Sequence, residues 1–540
     1  MFSLAQQWVH GILLAGEWQK RLIAVSAGAV SAGAMAPINF FPVLFATFPV
    51  LVWLLDSTGG RGDTRRNLVA AAGIGWWFGF GFFLAGLWWL GVAFVVGGEK
   101  FIWLMPLGVV ALPAALALFF ALGLGVARLF WGSSTWRIFA LALGLGFSEW
   151  LRSWLFTGFP WNGFGQVFAN HLLLVQGASL LGAEGLGALA VAVFAAPALI
   201  VTGTTSLQRW FFPGLGVVLL LALALFGYLR LLPTGGTRID FDALPMVPGV
   251  RLRIMQPNVP QDEKNAPRDG RAVIADYLTL SDRVKGAHAS GIADVTHLIW
   301  PEAPFPFILE RNAEAIRSIT GFLPPTTQLI TGAVRVEQDP AAPDGRRFYN
   351  SMQVLDRSGI VGTYDKVHLV PFGEYLPFGA WLSRLGLEQF VRVIGGFSAS
   401  PSRRELAIAG LPPVTPMICF EAIFPAELGA EEAGPRVFVN VTNDAWFGAT
   451  FGPYQHLAQA RLRAVEFGQP VIRAANSGVS AVFDPFGRVV ASLPLGVKDV
   501  IDAPLPAGLA STLYRQSRWY SFATVMFFFA VLAALGRIRS

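Results

Sequence analysis

The sequence predicts a multi-span α-helical membrane domain joined to an α/β sandwich domain, and three observations predict it. Hydrophobic residues make up 54% of the 540, far above the soluble average. Charge is withheld from long stretches: residues 68–98 and 103–127 carry none, whereas 235–515 reads as ordinary globular sequence. Between residues 250 and 501 short apolar strands alternate with helical stretches, the pattern of an α/β sandwich. The expected domains are therefore a membrane part over 1–234, a water-facing part over 235–513, and a last span with a short tail over 514–540.

Runs long enough to cross roughly 30 Å of hydrocarbon at about 1.5 Å per residue lie near 22–38, 40–55, 68–95, 102–127, 138–156, 185–203, 211–231 and 520–536. The first, "KRLIAVSAGAVSAGAMAP", has the basic start and small-residue end of a signal peptide, but apolar sequence resuming at Phe40 favours a retained helix. With eight spans, Lys20, Arg21, Arg61, Arg65, Arg66, Arg128, Arg137, Arg209, Arg537 and Arg539 all fall on one side. The positive-inside rule then makes both termini cytoplasmic and sets the long insert on the outer face. Glu149 and Arg152, three apart in the fifth run, can pair on one helix face. "FTGFPWNGFG" (156–165) has aromatics and glycines suited to the membrane surface, and 171–184 reads as interfacial. The formal charge of +6 comes from basic residues standing singly or in pairs beside apolar runs, which is no footprint for nucleic acid. A single cysteine excludes an intramolecular disulfide and a Cys-rich metal site.

In the water-facing part, "VRLRIMQP", "THLIWPE", "QLITGAV", "SMQVLD", "PVTPMICFE", "RVFVNVT", "PVIRAA" and "SAVFDPFGRVV" read as strands. A helix is expected from Gln455 to Phe467, and a hairpin around Pro485 to Gly487.

Chemistry is expected at the strand ends. Glu302 in "WPEAPFP" follows a strand, with prolines fixing an extended path and Trp300, Phe305 and Phe307 as apolar walls that would raise its pKa. That suits a general base as well as it suits a solvated loop glutamate. In "YDKVHLVPFGEYLPF" (364–378), an extended chain would project Lys366 and His368 to one face, so a Cys–His pair and a lysine cation both stay open, and Glu374 is close enough to hold the lysine. Cys419 ends a strand, with Glu421 on the same side if extension continues and "FPAEL" able to start a helix. A thiol there sits near helix-terminal N–H groups that favour thiolate, although a lone cysteine is more often buried and inert. "NVTNDAWFG" (440–448) sets Asn443 and Asp444, explicable as turn caps, beside Trp446 and Phe447, which suit a core or contact with acyl chains.

Together these motifs resemble the carbon–nitrogen hydrolase (nitrilase) superfamily, whose αββα sandwich carries a Glu-Lys-Cys triad. Glu302, Lys366 and Cys419 match its three motifs in order. With seven spans before the domain and one after, the whole chain is similar to the membrane-embedded, lipoprotein-acylating branch of that superfamily. The resemblance implies Lys366 rather than His368 as the triad member, and Glu374 and Glu421 match two further glutamates near the site. It also departs: Phe420 stands where a tyrosine is common, leaving only its backbone N–H for an oxyanion hole, and in "IMQPNVPQDEKNAP" Asn265 stands where a tryptophan often follows the lysine.

The implied reaction is ping-pong acyl transfer from a glycerophospholipid, through a thioester on Cys419, to the N-terminal amine of a diacylglyceryl-cysteine apolipoprotein. No metal and no cofactor are implied. The other implied partner is the lipid bilayer, with a monomeric enzyme in a bacterial inner membrane and its catalytic domain on the periplasmic side. Trp446 and Phe447 are expected substrate contacts, and the amphipathic "WLSRLGLEQFVRVIGGF" (381–397) an expected lid. Two alternatives stand beside this. A tethered amidohydrolase would use the same triad with water as acceptor; a transporter would need more polar groups in its spans than Glu149, Arg152 and Glu184.

Overall fold

The computed structural model describes residues 2–59, 63–96, 99–232, 245–260, 269–284, 290–342, 345–377, 396–428 and 434–538. Asn265 and nearly all of the expected lid, 381–395, lie outside these residues. The chain divides into two compact units, Met1–Ile239 with Thr512–Ser540, and Asp240–Ser511.

The first unit is helical. Five of its helices are long and apolar enough to cross a membrane: Thr64–Val96, Ile102–Leu129, Ala178–Thr202, Ser206–Leu231 and Trp519–Ile538. Helices also occupy the other three expected runs, at Glu17–Ser31, Leu44–Asp56 and Arg137–Trp154. The first of these is cut short where the chain turns through Ala32–Ala34 toward Pro37, and the third carries Arg137, Glu149 and Arg152. Close helix approach relies on glycine. A Cβ on Gly28 would lie 1.9 Å from Phe78 O and one on Gly81 2.0 Å from Val25 O, so the helices Glu17–Ser31 and Thr64–Leu87 touch backbone to backbone.

Glu149 and Arg152 do pair, at 3.7 Å, and they also hold the segment after their helix. Arg152 Nη1 donates to Trp161 O at 2.8 Å and to Phe159 O, and Glu149 accepts the Phe164 N–H at 2.9 Å. Satisfying these backbone groups lets Trp161 and Phe164 bury fully, unlike the surface aromatics expected there; Phe156, at 78% exposure, keeps the expected surface position.

The second unit is built on two sheets. Strands β1 (Met246–Gln256), β2 (His297–Ile299), β3 (Gln328–Gln338), β4 (Arg346–Asp356), β5 (Gly359–Asp365) and β11 (Asp499–Pro506) form one, in the order β11-β1-β2-β3-β4-β5. The other runs β10-β9-β8-β7-β6, from β6 (Val414–Ile418), β7 (Val437–Thr442), β8 (Val471–Ala475), β9 (Ser480–Phe483) and β10 (Val489–Leu493). The parallel strands β6, β7 and β8 are buried at every position, which is why they read as continuous apolar runs. The β9–β10 hairpin turns where expected, with Asp484 Oδ1 accepting from Phe486 N at 2.9 Å and Arg488 N at 2.7 Å.

The sheets face one another across a core in which Ile254, Ile299, Ile330 and Val354 meet Val439, Val441, Ile472 and Val482. Helices Gly270–Ser281 and Ala313–Phe322 cover the outer face of the first sheet through Tyr277, Trp300, Ile319 and Leu329. Helix Gly452–Phe467 covers the second, with Phe467 edge-on to Phe438 at 5.4 Å. The result is an αββα sandwich.

Candidate active site

The Glu302 loop leaves β2 and is pinned against β3: Trp300 N donates to Ile330 O at 2.9 Å and Gly332 N to Pro301 O at 3.2 Å. Gly332 is required here, because a Cβ would lie 2.6 Å from Glu302 Cα. Trp300, Phe305 and Phe307 pack in the core beneath the two outer helices. Glu302 itself faces a polar group of buried side chains. Asn350 Nδ2, from β4, donates to Glu302 Oε1 at 2.8 Å and to Glu374 Oε1 at 2.7 Å.

Extension ends at Asp365 rather than running to residue 370, so Lys366 and His368 part company. Asp365 is taken by Arg335, at 2.9 and 2.8 Å, and by the Ser351 hydroxyl at 2.6 Å. Lys366, 1% exposed, donates to Glu374 at 2.9–3.0 Å and lies 4.0 Å from Glu302. His368 pairs with Glu427 at 2.6 Å and stacks on Phe424 at 3.7 Å. Glu374 reaches back to the lysine as expected, both its oxygens within 3.0 Å of Nζ and its Oε2 also accepting the Val370 N–H at 2.8 Å.

Cys419 directly follows β6 and opens a 3₁₀ turn, Cys419–Ile423, in a left-handed conformation with φ 51°. Strain of this kind at a strand end sets a nucleophile apart from the sheet. A second 3₁₀ turn, Pro425–Glu427, stands where a helix was open to "FPAEL". The turn also carries Glu421 inward, to full burial. Its Oε2 accepts the Ile418 N–H at 2.8 Å, and its Oε1 accepts from Val367 N at 2.9 Å, Tyr364 Oη at 2.8 Å and Arg403 Nη2 at 3.1 Å. Glu421 therefore ties the cysteine turn to the lysine loop. Phe420 is buried edge-on to Phe424 at 5.1 Å.

The Cys419 thiol and the Glu302 carboxylate are close enough to shift one another's protonation, and Lys366 acts on both, which brings the three expected residues together. Burial raises the Glu302 pKa above the usual carboxylate range, with Lys366 opposing and Glu374 adding to the rise. Burial also pushes the Cys419 thiol up, reinforced by the Glu302 charge and opposed by Lys366. Burial disfavours charge on Lys366 too, but Glu374 and Glu302 outweigh it and hold the ammonium above the usual lysine range. The cluster thus keeps the proton on sulfur beside a strengthened base and a fixed cation. Among the described residues no group of three or more His, Cys, Asp or Glu side chains is arranged to hold a metal ion.

Behind the cysteine lies a second buried cluster. His456 Nε2 contacts Cys419 O at 3.1 Å, and its Nδ1 lies 2.9 Å from Asp444 Oδ1. Asp444 accepts from Arg473 Nη2 at 2.6 Å and Thr442 Oγ1 at 3.0 Å. Trp446 and Phe447 sit half-buried in the following turn, Asp444–Phe447, with Phe447 edge-on to His456 at 6.0 Å.

Asn350, His456 and Arg473 escape a reading by motif, yet two of them leave a trace. Asn350 shares strand parity with Met352 and Val354 of the inter-sheet core, and Arg473 interrupts the otherwise apolar β8. A polar residue at an inward-facing strand position is the signal.

A family model described as carbon-nitrogen hydrolase matches residues 310–514, a span that contains Lys366 and Cys419 and begins after Glu302. Another, described as apolipoprotein N-acyltransferase N-terminal domain, matches residues 27–196. An apolipoprotein N-acyltransferase from Rhodopseudomonas palustris is 48% identical over 511 residues, 94% of this chain and 93% of the relative. One from Bradyrhizobium diazoefficiens is 47% identical over 539 residues, covering 99% and 98%, and one from Agrobacterium fabrum 42% identical over 535, covering 98% of each.

Proposed function

The chain belongs to the apolipoprotein N-acyltransferase family, and from that premise we infer that it transfers an acyl chain from a glycerophospholipid, by way of a Cys419 thioester, to the N-terminal amine of a diacylglyceryl-cysteine apolipoprotein. The observation that carries this reading is the buried meeting of Glu302, Lys366 and Cys419, with Glu374 holding the lysine.

In the first half-reaction Glu302 takes the thiol proton as sulfur attacks the ester carbonyl. Negative charge gathers on the carbonyl oxygen, where the Lys366 ammonium and the Phe420 N–H stabilise it. Collapse breaks the ester C–O bond, and the leaving glycerol oxygen receives the proton from Glu302. A lysophospholipid departs and the acyl chain remains on sulfur. In the second, Glu302 takes a proton from the apolipoprotein amine as it attacks the thioester; the same two donors hold the oxyanion, and the thiol is reprotonated as the amide forms. Trp446 and Phe447 contact the acyl chain.

Both substrates are lipids, which gives a reason for joining a nitrilase-type sandwich to a multi-span helical unit. The arginine distribution supports cytoplasmic termini and a periplasmic catalytic unit in the inner membrane of a bacterium. The enzyme acts as a monomer.

The test is intact-mass and peptide mass spectrometry of the detergent-purified chain incubated with a diacylglycerophospholipid, then given either water or a diacylglyceryl-cysteine peptide. An acyl adduct on Cys419 that persists in water and is discharged by the peptide amine is expected. Rapid loss of the adduct in water would make the protein a tethered hydrolase, and no adduct at all under turnover would remove Cys419 as nucleophile.

A further inference from the structure

We propose that His456 is the positioning residue of the oxyanion hole: by donating to the Cys419 carbonyl it fixes the Cys419–Phe420 peptide so that the Phe420 N–H points toward the reacting carbonyl. The proposal deepens the acyl-transfer reading and rests on it.

A carbonyl oxygen accepts and cannot donate, so the His456 nitrogen 3.1 Å from Cys419 O is the protonated Nε2. In a trans peptide the C=O and the following N–H are coplanar and antiparallel. Anchoring the Cys419 oxygen on His456 therefore directs the Phe420 N–H away from His456, from the opposite edge of that plane. Rotating this peptide would lose the bond to His456 and misdirect the N–H in one motion.

The peptide needs such an anchor. Cys419 is a non-glycine residue at φ 51°, a conformation that persists only where its surroundings over-determine it. Only a short 3₁₀ turn follows, too brief to hold the peptide by regular helix bonding. His456 comes from a different element, 37 residues on, and is itself held. Its ring is fully buried, its Nδ1 accepts from Arg473 Nη2 at 3.2 Å beside Asp444, and Asp444 is fixed by Arg473 and Thr442. The chain of contacts runs Arg473, Asp444, His456, Cys419 carbonyl, with each member buried. A charged network costs desolvation. This one ends on the single backbone group whose direction decides where the oxyanion donor lies.

The reading separates two kinds of reaction at the same sulfur. Alkylation by iodoacetamide is a direct displacement that makes no tetrahedral oxyanion, whereas acylation by a phospholipid does. His456→Met keeps the volume and removes the donor; His456→Gln keeps a donor of similar reach; His456→Asn keeps polarity but falls short of the carbonyl. In full-length detergent-purified protein, H456M is expected to slow Cys419 acylation by a diacylglycerophospholipid about 10–100-fold while its iodoacetamide alkylation stays within about twofold of wild type. H456Q should restore most of the acylation. If H456M does not fold, H456N gives the same readout. Acylation and alkylation falling by the same factor, or neither falling, in a folded variant would overturn the role assigned to His456 while leaving Cys419 as nucleophile. Absence of a wild-type acyl adduct would instead overturn the underlying reading.

Discussion

Lys366 Nζ stands 2.9 Å from Glu374 Oε2 and 4.0 Å from Glu302 Oε1. The asymmetry assigns the two carboxylates different work. Glu374 neutralises the lysine, and Glu302, further off, keeps the basicity that the proposed mechanism asks of it.

Replacing Glu374 with Gln should therefore damage Glu302 indirectly. The buried ammonium would turn to Glu302 as its remaining carboxylate, lowering the basicity of the group that must accept the thiol proton. E374Q is expected to slow acyl-adduct formation about 10²-fold and to lower stability by about 2 kcal/mol. Stopped incubations read by mass spectrometry, with urea unfolding, check both; wild-type values for the two together would contradict the assignment.

Glu302 makes the opposite trade. Its pKa is raised by burial, so the folded state holds that proton more tightly than the unfolded state does. Its contribution to stability is present at low pH and is lost as pH rises through the raised folded value. At neutral pH the ionised carboxylate works against folding. E302Q is thus expected to unfold about 2–4 °C higher than wild type at pH 7 while acylating about 10³-fold more slowly. Below the ordinary carboxylate range both chains are uncharged there, and the difference should close. A melting difference that does not change between pH 4 and pH 8 would remove Glu302 as a group with a raised pKa. The same substitution removes a charge that pushes the Cys419 thiol up, so iodoacetamide alkylation of E302Q should begin at lower pH even though acylation is lost.

Gly332 supplies a purely geometric test. An alanine methyl there would meet Glu302 Cα at 2.6 Å and Ala303 N at 2.7 Å, and backbone atoms cannot swing aside. G332A is expected to cost about 1–3 kcal/mol and, by shifting the base, to slow acylation about 10–100-fold. G321A is the control. It lies in helix Ala313–Phe322 with nothing within 4 Å of the new Cβ, so it should leave acylation unchanged.

The proposed catalytic residues are legible in the sequence because each sits in a short motif at a strand end, where local order alone marks a candidate functional loop. Glu302, Lys366 and Cys419 are 64 and 53 residues apart in sequence and still come together. What stayed hidden are partnerships made in space. His456 belongs to a helix and Asn350 to a strand, and nothing near them in sequence names Cys419 or Glu302 as the partner. Extension past Asp365 misled for a related reason: the side chain that ends β5 is fixed by Arg335 on β3, a contact no local pattern reveals. In the helical unit, length and hydropathy find the five long apolar helices. They do not show that Arg152 and Glu149 reach out of a helix to fold Trp161 and Phe164 inward.

The two sheets divide the reactive groups between them. Glu302 follows β2 and Lys366 follows β5, both of the six-stranded sheet, whereas Cys419 follows β6 of the other. Neither sheet holds all three of the proposed catalytic residues. On the proposed mechanism, competence requires that the two apolar faces close and that Glu421 clasp the cysteine turn to the lysine loop. By the same mechanism a half-folded chain would leave the phospholipid around it intact, and along a urea titration acylation should vanish together with burial of the inter-sheet core. The fold is its own safety catch.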